Sequence, residues 1–336
     1  MKVLEHCSAA AISLLLAACA AAPARPPMPL YSPYKDMMMA LEPDTLVTRT
    51  AVSGVPVPLT APGALPAGVR AVTLAFANGE CGAETWQGID AARFAAANLP
   101  ALGDAGIDYV ISTGGARGSF SCGSDEGMER FIARYASPHL RGLDFDIETD
   151  QSPELIASLM RRIAAAQQRH PGLKVSFTLA TWAASDGSRA SLNALGDTVI
   201  AALRDAGLTD YYLNLMVMDY GEASPSVCVV VDARCDMGRS AEQAVRNVHE
   251  RYGIALDRLG VTPMIGVNDV TSNVFTLDDA RRLARFARDN GLAGLHFWSL
   301  DRDVGCGPGR PLPSSLCHHL EAPPLAFTRA FAAALQ

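Results

Sequence analysis

The sequence lacks the basic runs of nucleic-acid-binding proteins, and its formal net charge is −7. Such a chain has no electrostatic reason to bind phosphate backbones or anionic membrane surfaces. It also lacks a zinc-like cysteine spacing, and its seven histidines form no metal-binding motif. We therefore expect no nucleic-acid partner, no metal and no other cofactor, and a neutral or weakly charged ligand fits better.

A glycine-rich phosphate loop is missing as well, because neither GxGxxG nor GxxxxGK follows an early strand-like run. Its absence argues against a doubly wound nucleotide-binding sheet. Apolar, β-branched runs instead alternate with helical stretches. Seven strands are predicted near residues 70–76, 108–112, 142–147, 174–180, 211–217, 260–265 and 293–299.

An eighth strand is predicted within MPLYSPYKD, residues 28–36. Eight strands alternating with helices indicate the α/β class and a (β/α)8 TIM barrel, a single catalytic domain over residues 28–336. Helix starts are predicted at Ser152 ahead of Pro153, Ser240 with Gln243, and Thr276 with Asp279, and a helix end at Gly291. In such a barrel, functional side chains lie at the carboxyl ends of the strands.

The N-terminus reads as an export signal over residues 1–18, with a short apolar core and small residues before Cys19. Leu16-Ala17-Ala18-Cys19 resembles a bacterial lipobox, which predicts lipidation of Cys19 and a linker over residues 19–27. We expect an outer-membrane lipoprotein of a Gram-negative bacterium that touches the membrane only through its lipid anchor. Ordinary secretion is the alternative, since small residues before a cysteine also arise by chance in alanine-rich leaders.

The cysteines form an even set once Cys7, in the leader, and Cys19 are set aside. An even set in an exported chain predicts three disulfides, although six cysteines allow 15 pairings. Closeness in sequence favours the pairs Cys228 with Cys235 and Cys306 with Cys317. These two pairs leave Cys81 for Cys122.

The stretch RGLDFDIETD, residues 141–150, places acids at every second position: Asp144, Asp146 and Glu148. Side chains alternate across a strand, so the three acids share one face. In an antiparallel edge strand that face would lie in water. In a barrel it points to the interior, where buried carboxylates are costly and are more easily explained by chemistry than by stability.

Four segments together resemble the motifs of glycoside hydrolase family 18, the chitinases and related endo-β-N-acetylglucosaminidases. RGLDFDIE is similar to the DGxDxDxE signature, with Arg141 in place of the first acid. The others resemble the SxGG motif, the sixth-strand motif and the last-strand tryptophan motif: Ser112 to Gly115, Asn214 to Gly221 and Phe297 to Ser299. They occur in the family's order, near the predicted ends of four strands.

The resemblance implies a retaining hydrolase in which the 2-acetamido group of the substrate is the nucleophile, an exception to the usual two-carboxylate pattern. Glu148 would be the general acid and base, with a pKa raised by neighbouring carboxylates. Asp146 would orient the acetamido group, and Asp144 would share a proton with Asp146. The implied substrate is chitin or another oligosaccharide that contains N-acetylglucosamine.

The same resemblance implies a substrate-binding role for Trp298, as the floor under the reacting sugar, and for Met216, Asp219 and Tyr220. The family's tyrosine position holds Met218 here, so Tyr220 either takes its place by another path or packs under the following loop. Independently of the family, all three tryptophans fall near predicted strand ends, which suggests Trp86 and Trp182 as sugar-stacking residues.

Two other functions stay open at this point. One is an endo-β-N-acetylglucosaminidase that acts on N-glycans or cell-wall sugars. The other is a catalytically silent sugar-binding protein, although the presence of Glu148 argues against it. We expect a monomer.

Overall fold

Eight parallel strands form the central sheet in the computed structural model, which describes residues 28–148 and 151–336. We number them β1 (Leu30–Tyr31 and Tyr34–Asp36), β2 (Ala71–Ala77), β3 (Asp108–Gly114), β4 (Leu140–Asp146), β5 (Val175–Ala180), β6 (Tyr212–Met216), β7 (Leu259–Thr262) and β8 (Gly294–Leu295). Consecutive strands are neighbours throughout.

The first strand closes the sheet into a barrel. Its first half pairs with β8, where Leu30 lies opposite Gly294, and its second half pairs with β2, where Tyr34 lies opposite Thr73. Between the halves, the Pro33 carbonyl accepts a hydrogen bond of 2.9 Å from the Thr73 N–H. With no open edge left, the predicted (β/α)8 barrel is confirmed, including its first strand.

Within the described residues, seven α-helices surround the barrel: α1 (Ala91–Asp104), α2 (Asp125–Tyr135), α3 (Pro153–Arg169), α4 (Ala194–Asp205), α5 (Met237–Tyr252), α6 (Leu277–Asp289) and α7 (Ala326–Leu335). Between β1 and β2 the chain forms a short hairpin, Arg49–Thr50 with Val57–Pro58, instead of a helix. Of the helices in the described ranges, none has the length and apolar character needed to cross a membrane.

Two of the three predicted helix starts are correct. Ser152 caps α3 through the Leu155 N–H, and Thr276 and Asp279 form a reciprocal capping box on α6. Gly291, with φ of +63°, follows the end of α6 as predicted.

The start predicted at Ser240 is wrong, because α5 already begins at Met237. Its N-cap is Asp236, whose carboxylate accepts the Arg239 N–H at 2.9 Å. Ser240 lies one turn inside the helix, where its hydroxyl accepts the Val229 N–H. Both residues are good N-caps, so local preference alone could not separate them.

The predicted disulfides are present, and each one joins segments beyond a strand's carboxyl end. Cys81–Cys122 connects the loops after β2 and β3, across a short parallel pairing of Gly79–Glu80 with Phe120–Ser121. The other two are local staples in the loops after β6 and β8: Cys228–Cys235 and Cys306–Cys317. The covalent constraints therefore concentrate on the face that carries the acidic motif.

Candidate active site

The alternation of β4 separates an apolar face from an acidic one. Phe145 is fully buried and stacks on Phe177 of β5 at a ring-centroid distance of 5.7 Å. Asp144 lies on the opposite face, in hydrogen-bonding reach of Ser112 on β3 and Ser176 on β5. The acids therefore point into the barrel interior, as the strand period predicts.

The two glycines that end β3 allow that strand to approach β4 closely. A Cβ atom at Gly114, where φ is +86°, would lie 2.0 Å from the Asp146 carbonyl oxygen. A Cβ atom at Gly115 would lie 2.8 Å from the Phe76 ring, and its N–H donates to the Asp146 carbonyl at 3.1 Å. Only glycine fits either position, so the pair sets the height at which the β4 carboxylates emerge.

Asp144 is surrounded by four hydroxyl groups. One carboxylate oxygen accepts from Tyr34 (2.9 Å) and Ser112 (2.7 Å), and the other accepts from Ser176 (2.6 Å) and Thr178 (2.8 Å). All five side chains are buried. Because both oxygens have hydroxyl partners, the arrangement satisfies the hydrogen-bonding capacity of a carboxyl group that would be costly to bury alone.

Asn214 on β6 orients part of this hydroxyl cage. Its amide nitrogen donates to the Tyr34 and Thr178 oxygens at 3.0 and 2.9 Å, while its amide oxygen accepts from Thr262 at 2.9 Å. Those two hydroxyls, which also lie 3.1 Å from each other, are thereby held within reach of Asp144. The predicted sharing of a proton between Asp144 and Asp146 stays a prediction, and hydroxyl groups contact both Asp144 oxygens.

Asp146 has the opposite surroundings, although it lies only two residues further along β4. It is buried, and its Oδ1 atom has no hydrogen-bond partner in the described part of the chain. Burial, followed by the charges of Glu148 and Asp144, raises its pKa well above the ordinary value. The protonated form of Asp146 is therefore favoured more than in an exposed acid, and its Oδ1 atom is free to accept a hydrogen bond.

Glu148 lies just beyond the end of β4 and is half-buried. Burial raises its pKa to about 7, and the charge of Asp219 adds to the effect. The raised pKa agrees with the sequence prediction, but its causes differ, since burial dominates and the main charged neighbour comes from the loop after β6. A carboxyl group with this pKa can give and take a proton near neutral pH.

Asp219 takes a left-handed backbone conformation, with φ of +51°. Its N–H donates to the Asn268 side-chain oxygen at 3.3 Å, and its carboxylate accepts from the Val270 N–H at 2.7 Å. Burial raises its pKa. Non-glycine residues adopt this conformation mainly where the surroundings enforce it, so the loop after β7 holds Asp219 in place.

Trp298 lies at the end of β8, half-buried, on the same face as the acids. Its ring stacks on Phe76, with centroids 5.5 Å apart and planes 19° apart, and Tyr34 packs at 6.0 Å. Tyr34 also donates to Asp144, so the tryptophan and the acidic cluster share a direct neighbour. This placement agrees with a platform beneath a ligand at the barrel mouth.

The other two tryptophans, Trp182 and Trp86, differ from each other in exposure and in surroundings. Trp182 is 41% exposed just after β5, the placement expected of a sugar-stacking residue. Trp86 is fully buried, stacks on Phe94 at 4.3 Å and donates its indole N–H to Tyr135. The suggested sugar contact of Trp86 is therefore wrong, because hairpin residues near a strand end are packed inward by α1 and α2.

The sixth-strand motif supplies Met216 and Tyr220. Met216 ends β6 and is buried, and its carbonyl accepts from Thr181 at 2.7 Å. Tyr220 is buried in the hydrophobic core, and its hydroxyl has no partner among the residues that the structure describes. Burial raises the pKa of this phenol. Of its two interpretations, packing beneath the following loop fits these surroundings better.

Two curated proteins resemble the chain, whereas no protein-family model matches it. The "Probable bifunctional chitinase/lysozyme" of Escherichia coli K12 is 29% identical over 252 residues, which are 70% of this chain and 27% of that protein. "Endochitinase 11" of Metarhizium anisopliae is 28% identical over 221 residues, which are 61% of this chain and 42% of that protein. The chain thus spans less than half the length of either relative.

The solved catalytic domain of the hyperthermophilic chitinase from Pyrococcus furiosus is similar over 94% of this chain and 98% of that domain, with 25% identity and a TM-score of 0.68. A site mutant of the same domain, solved with chito-oligosaccharides, is 26% identical with the same TM-score. In sequence and in fold, the chain is therefore similar to the chitinases of glycoside hydrolase family 18. The four similar motifs lie at the carboxyl ends of β3, β4, β6 and β8, on one face of the barrel.

Proposed function

We propose that this protein is a chitinase that hydrolyses β-1,4-linked N-acetylglucosamine with retention of configuration. The observation that carries the proposal is the pair at the end of β4. Glu148 has a pKa of about 7, and beside it Asp146 has a raised pKa and an unpartnered oxygen. This pair supplies a proton donor for a leaving group and a buried acceptor for an amide N–H.

In the first step, protonated Glu148 gives its proton to the glycosidic oxygen while the carbonyl oxygen of the substrate's acetamido group attacks the anomeric carbon. The C–O bond to the leaving sugar breaks, and an oxazolinium ion forms. Asp146 accepts a hydrogen bond from the acetamido N–H through its free oxygen. This hydrogen bond orients the acetamido carbonyl for attack and helps to stabilise the positive charge that develops on the oxazolinium ion.

In the second step, a water molecule attacks the anomeric carbon from the face that the acetamido oxygen leaves. Glu148, now ionised, takes the proton from that water and returns to its starting state. The two attacks occur on one face, so the product keeps the β configuration. Asp144 lies beneath the pair and is held in place by its four hydroxyl partners.

Contacts to the sugar are assigned from the same face of the barrel. The Trp298 ring forms the floor, with Met216 beside it and Asp219 as a polar partner of the acetamido group. Trp182, exposed after β5, would stack on a neighbouring sugar. Tyr220 is the weakest of these assignments, because its hydroxyl is enclosed in the core.

The relatives support the substrate class. Two carry chitinase or endochitinase in their names, and the Pyrococcus domain was solved with chito-oligosaccharides. The name of the Escherichia coli relative also includes lysozyme activity, which favours cell-wall glycan as a second candidate substrate. The same site would serve it, since the required acetamido group is present in both polymers.

The decisive test compares N-acetylated chitin oligomers with cellulose oligomers of equal length, with the new anomer followed by NMR. We expect cleavage of the chitin oligomers alone, a β-anomeric first product, and inhibition by a thiazoline mimic of the oxazolinium ion. Comparable cleavage of cellulose oligomers, or an α product, would contradict the mechanism. Cleavage of purified peptidoglycan in the same assay tests whether cell-wall glycan is a second substrate.

Export and anchoring complete the proposal, and they concern residues outside the described ranges. Residues 1–18 would be removed, Cys19 would carry lipid, residues 19–27 would be a linker, and residues 28–336 would form a monomeric catalytic domain at the outer membrane. Mass spectrometry of the mature protein should find a lipid on Cys19, and Cys19→Ser should release the protein. A soluble wild-type protein cleaved elsewhere would instead mean secretion.

A further inference from the structure

The loop after β7 makes a set of contacts that the family motifs do not account for. It lies between the strands Gly266–Val267 and Val274–Phe275, and its first residue, Asn268, is fully buried. The Asn268 amide nitrogen donates to the carbonyls of Met264 and Gly266 at 2.9 and 3.1 Å. These bonds point its amide oxygen at the Asp219 N–H, 3.3 Å away.

The same loop holds the carboxylate of Asp219. The Val270 N–H donates to Asp219 Oδ1 at 2.7 Å. Backbone bonds between Asn268 and Asn273, and between Asn273 and Val270, close the loop on itself. Because Asn268 holds the N–H of Asp219 and Val270 holds its carboxylate, the loop fixes both ends of that residue.

Arg302, which follows β8, supports the loop from behind. Its guanidinium is buried and donates to the carbonyls of Val267 (2.6 Å) and Ser314. These bonds hold the segment that enters the loop. A continuous set of contacts therefore runs from the segment after β8, through the loop after β7, to the acid whose charge acts on Glu148.

We propose that Asn268 is a positioning residue, whose side-chain amide holds Asp219 so that its carboxylate stays near Glu148. The inference rests on the proposed hydrolase function and adds to it a residue that touches neither Glu148 nor the sugar. The charged groups around the pair are Asp144 and Asp146 on β4, Asp269 after β7 and Arg302 after β8. None of these would be altered by changing Asn268.

The expected consequence follows from charge. A carboxylate near Glu148 disfavours the ionised form of that acid and so raises its pKa. Without Asn268, the N–H of Asp219 loses its acceptor, and the left-handed conformation loses part of its support. The Asp219 carboxylate then spends less time near Glu148, so the pKa of Glu148 should fall. Burial, the larger cause of the raised value, should keep the fall partial.

The test measures the pKa of Glu148 by carbon-13 NMR of labelled glutamate, with Glu148→Gln assigning the signal. In Asn268→Ala we expect a fall of about half a pH unit or more. In an Asp219→Asn background the same change should shift nothing, because the charge it positions is gone. Asn268→Ser provides a second variant if the alanine variant does not fold.

A matched control is Asn273→Ala, since Asn273 is also buried in this loop but donates to the Gly221 carbonyl. It should destabilise the loop without lowering the pKa of Glu148. An unchanged pKa in Asn268→Ala, an equal fall in the Asp219→Asn background, or an equal fall in Asn273→Ala would each overturn the proposal. The NMR readout needs no turnover, so failure to hydrolyse chitin oligomers would count against the proposed function alone.

Discussion

Two carboxyl groups on one strand, Asp144 and Asp146, share a face and nearly the same burial, yet their surroundings are opposite. Asp144 accepts four hydrogen bonds from hydroxyl groups. Asp146 has an unpartnered oxygen and a pKa raised well above its ordinary value. The difference separates a carboxylate that the folded protein has already satisfied from one that still needs a partner.

The two acids also differ in their effect on the stability of the fold. A buried acid with a full set of donors stabilises the fold, whereas one without them makes the fold less stable than it could be. Natural proteins keep such a defect where a ligand removes it. By this reasoning the lower part of the barrel interior serves stability, and the rim at Asp146 and Glu148 serves binding and chemistry.

The largest effect should come from Glu148→Gln, which removes the titrating group at the rim and leaves the lower interior unchanged. Proton transfer by a positioned acid is worth about 10²–10⁴-fold. We expect kcat to fall by about 10³-fold or more, with oligosaccharide binding retained. Turnover assays and calorimetric titration with chitin oligomers check both parts, and normal turnover would remove Glu148 from the mechanism.

A second pair of variants tests the comparison directly through stability. Asp144→Ala leaves four buried hydroxyls without their acceptor and should reduce the free energy of unfolding by about 3 kcal/mol or more. Asp146→Asn should leave that free energy unchanged or increase it at neutral pH. The pKa of Asp146 is raised in the folded state, so its stabilising effect is present at low pH and lost as pH rises.

Denaturant unfolding at pH 7 measures both variants, and chitin-oligomer turnover should be lost in both. A large loss of stability in Asp146→Asn would contradict the division between the two acids. An unchanged free energy of unfolding in Asp144→Ala would also contradict that division.

A third expectation concerns pH. Glu148 must be protonated to act as the acid, and its pKa of about 7 lies well above the ordinary value. The value of kcat/KM should therefore fall about tenfold per pH unit above pH 7, while the stabilising contacts of Asp144 persist. A pH profile on a soluble chitin oligomer checks this, and full activity at pH 9 would contradict it.

The smallest effect should come from Tyr220→Phe. The hydroxyl of Tyr220 is buried without a partner, so removing it costs no hydrogen bond and should change the free energy of unfolding by less than about 1 kcal/mol. Turnover should fall less than about threefold if the side chain only packs beneath its loop. A loss of a hundredfold would instead place this phenol in contact with the substrate.

The barrel was predictable because its signals are local. Apolar runs mark the strands, and two of the three expected helix starts cap as their residue types suggest. The acids of β4 were found for the same reason, since alternation on one strand needs no knowledge of its neighbours.

The cage around Asp144 could not be predicted in this way, because its hydroxyl donors come from three different strands. Ser176 and Thr178 alternate on β5 as any half-polar strand does, and Tyr34 lies in a short strand that closes the barrel. Which hydroxyls meet which acid depends on the register between strands. The predicted sugar contact of Trp86 was wrong for a related reason, because a position beyond a strand end does not reveal which way the hairpin folds.

The closure of the barrel by its first strand has a consequence for biosynthesis. One edge of β1 pairs with β8, and Ser32 contacts His296 across 264 positions of sequence. A ribosome that has made most of the chain has therefore produced a sheet with two open edges, at β1 and β7, that can pair with other chains. Premature termination anywhere before β8 should yield aggregates rather than a smaller working enzyme.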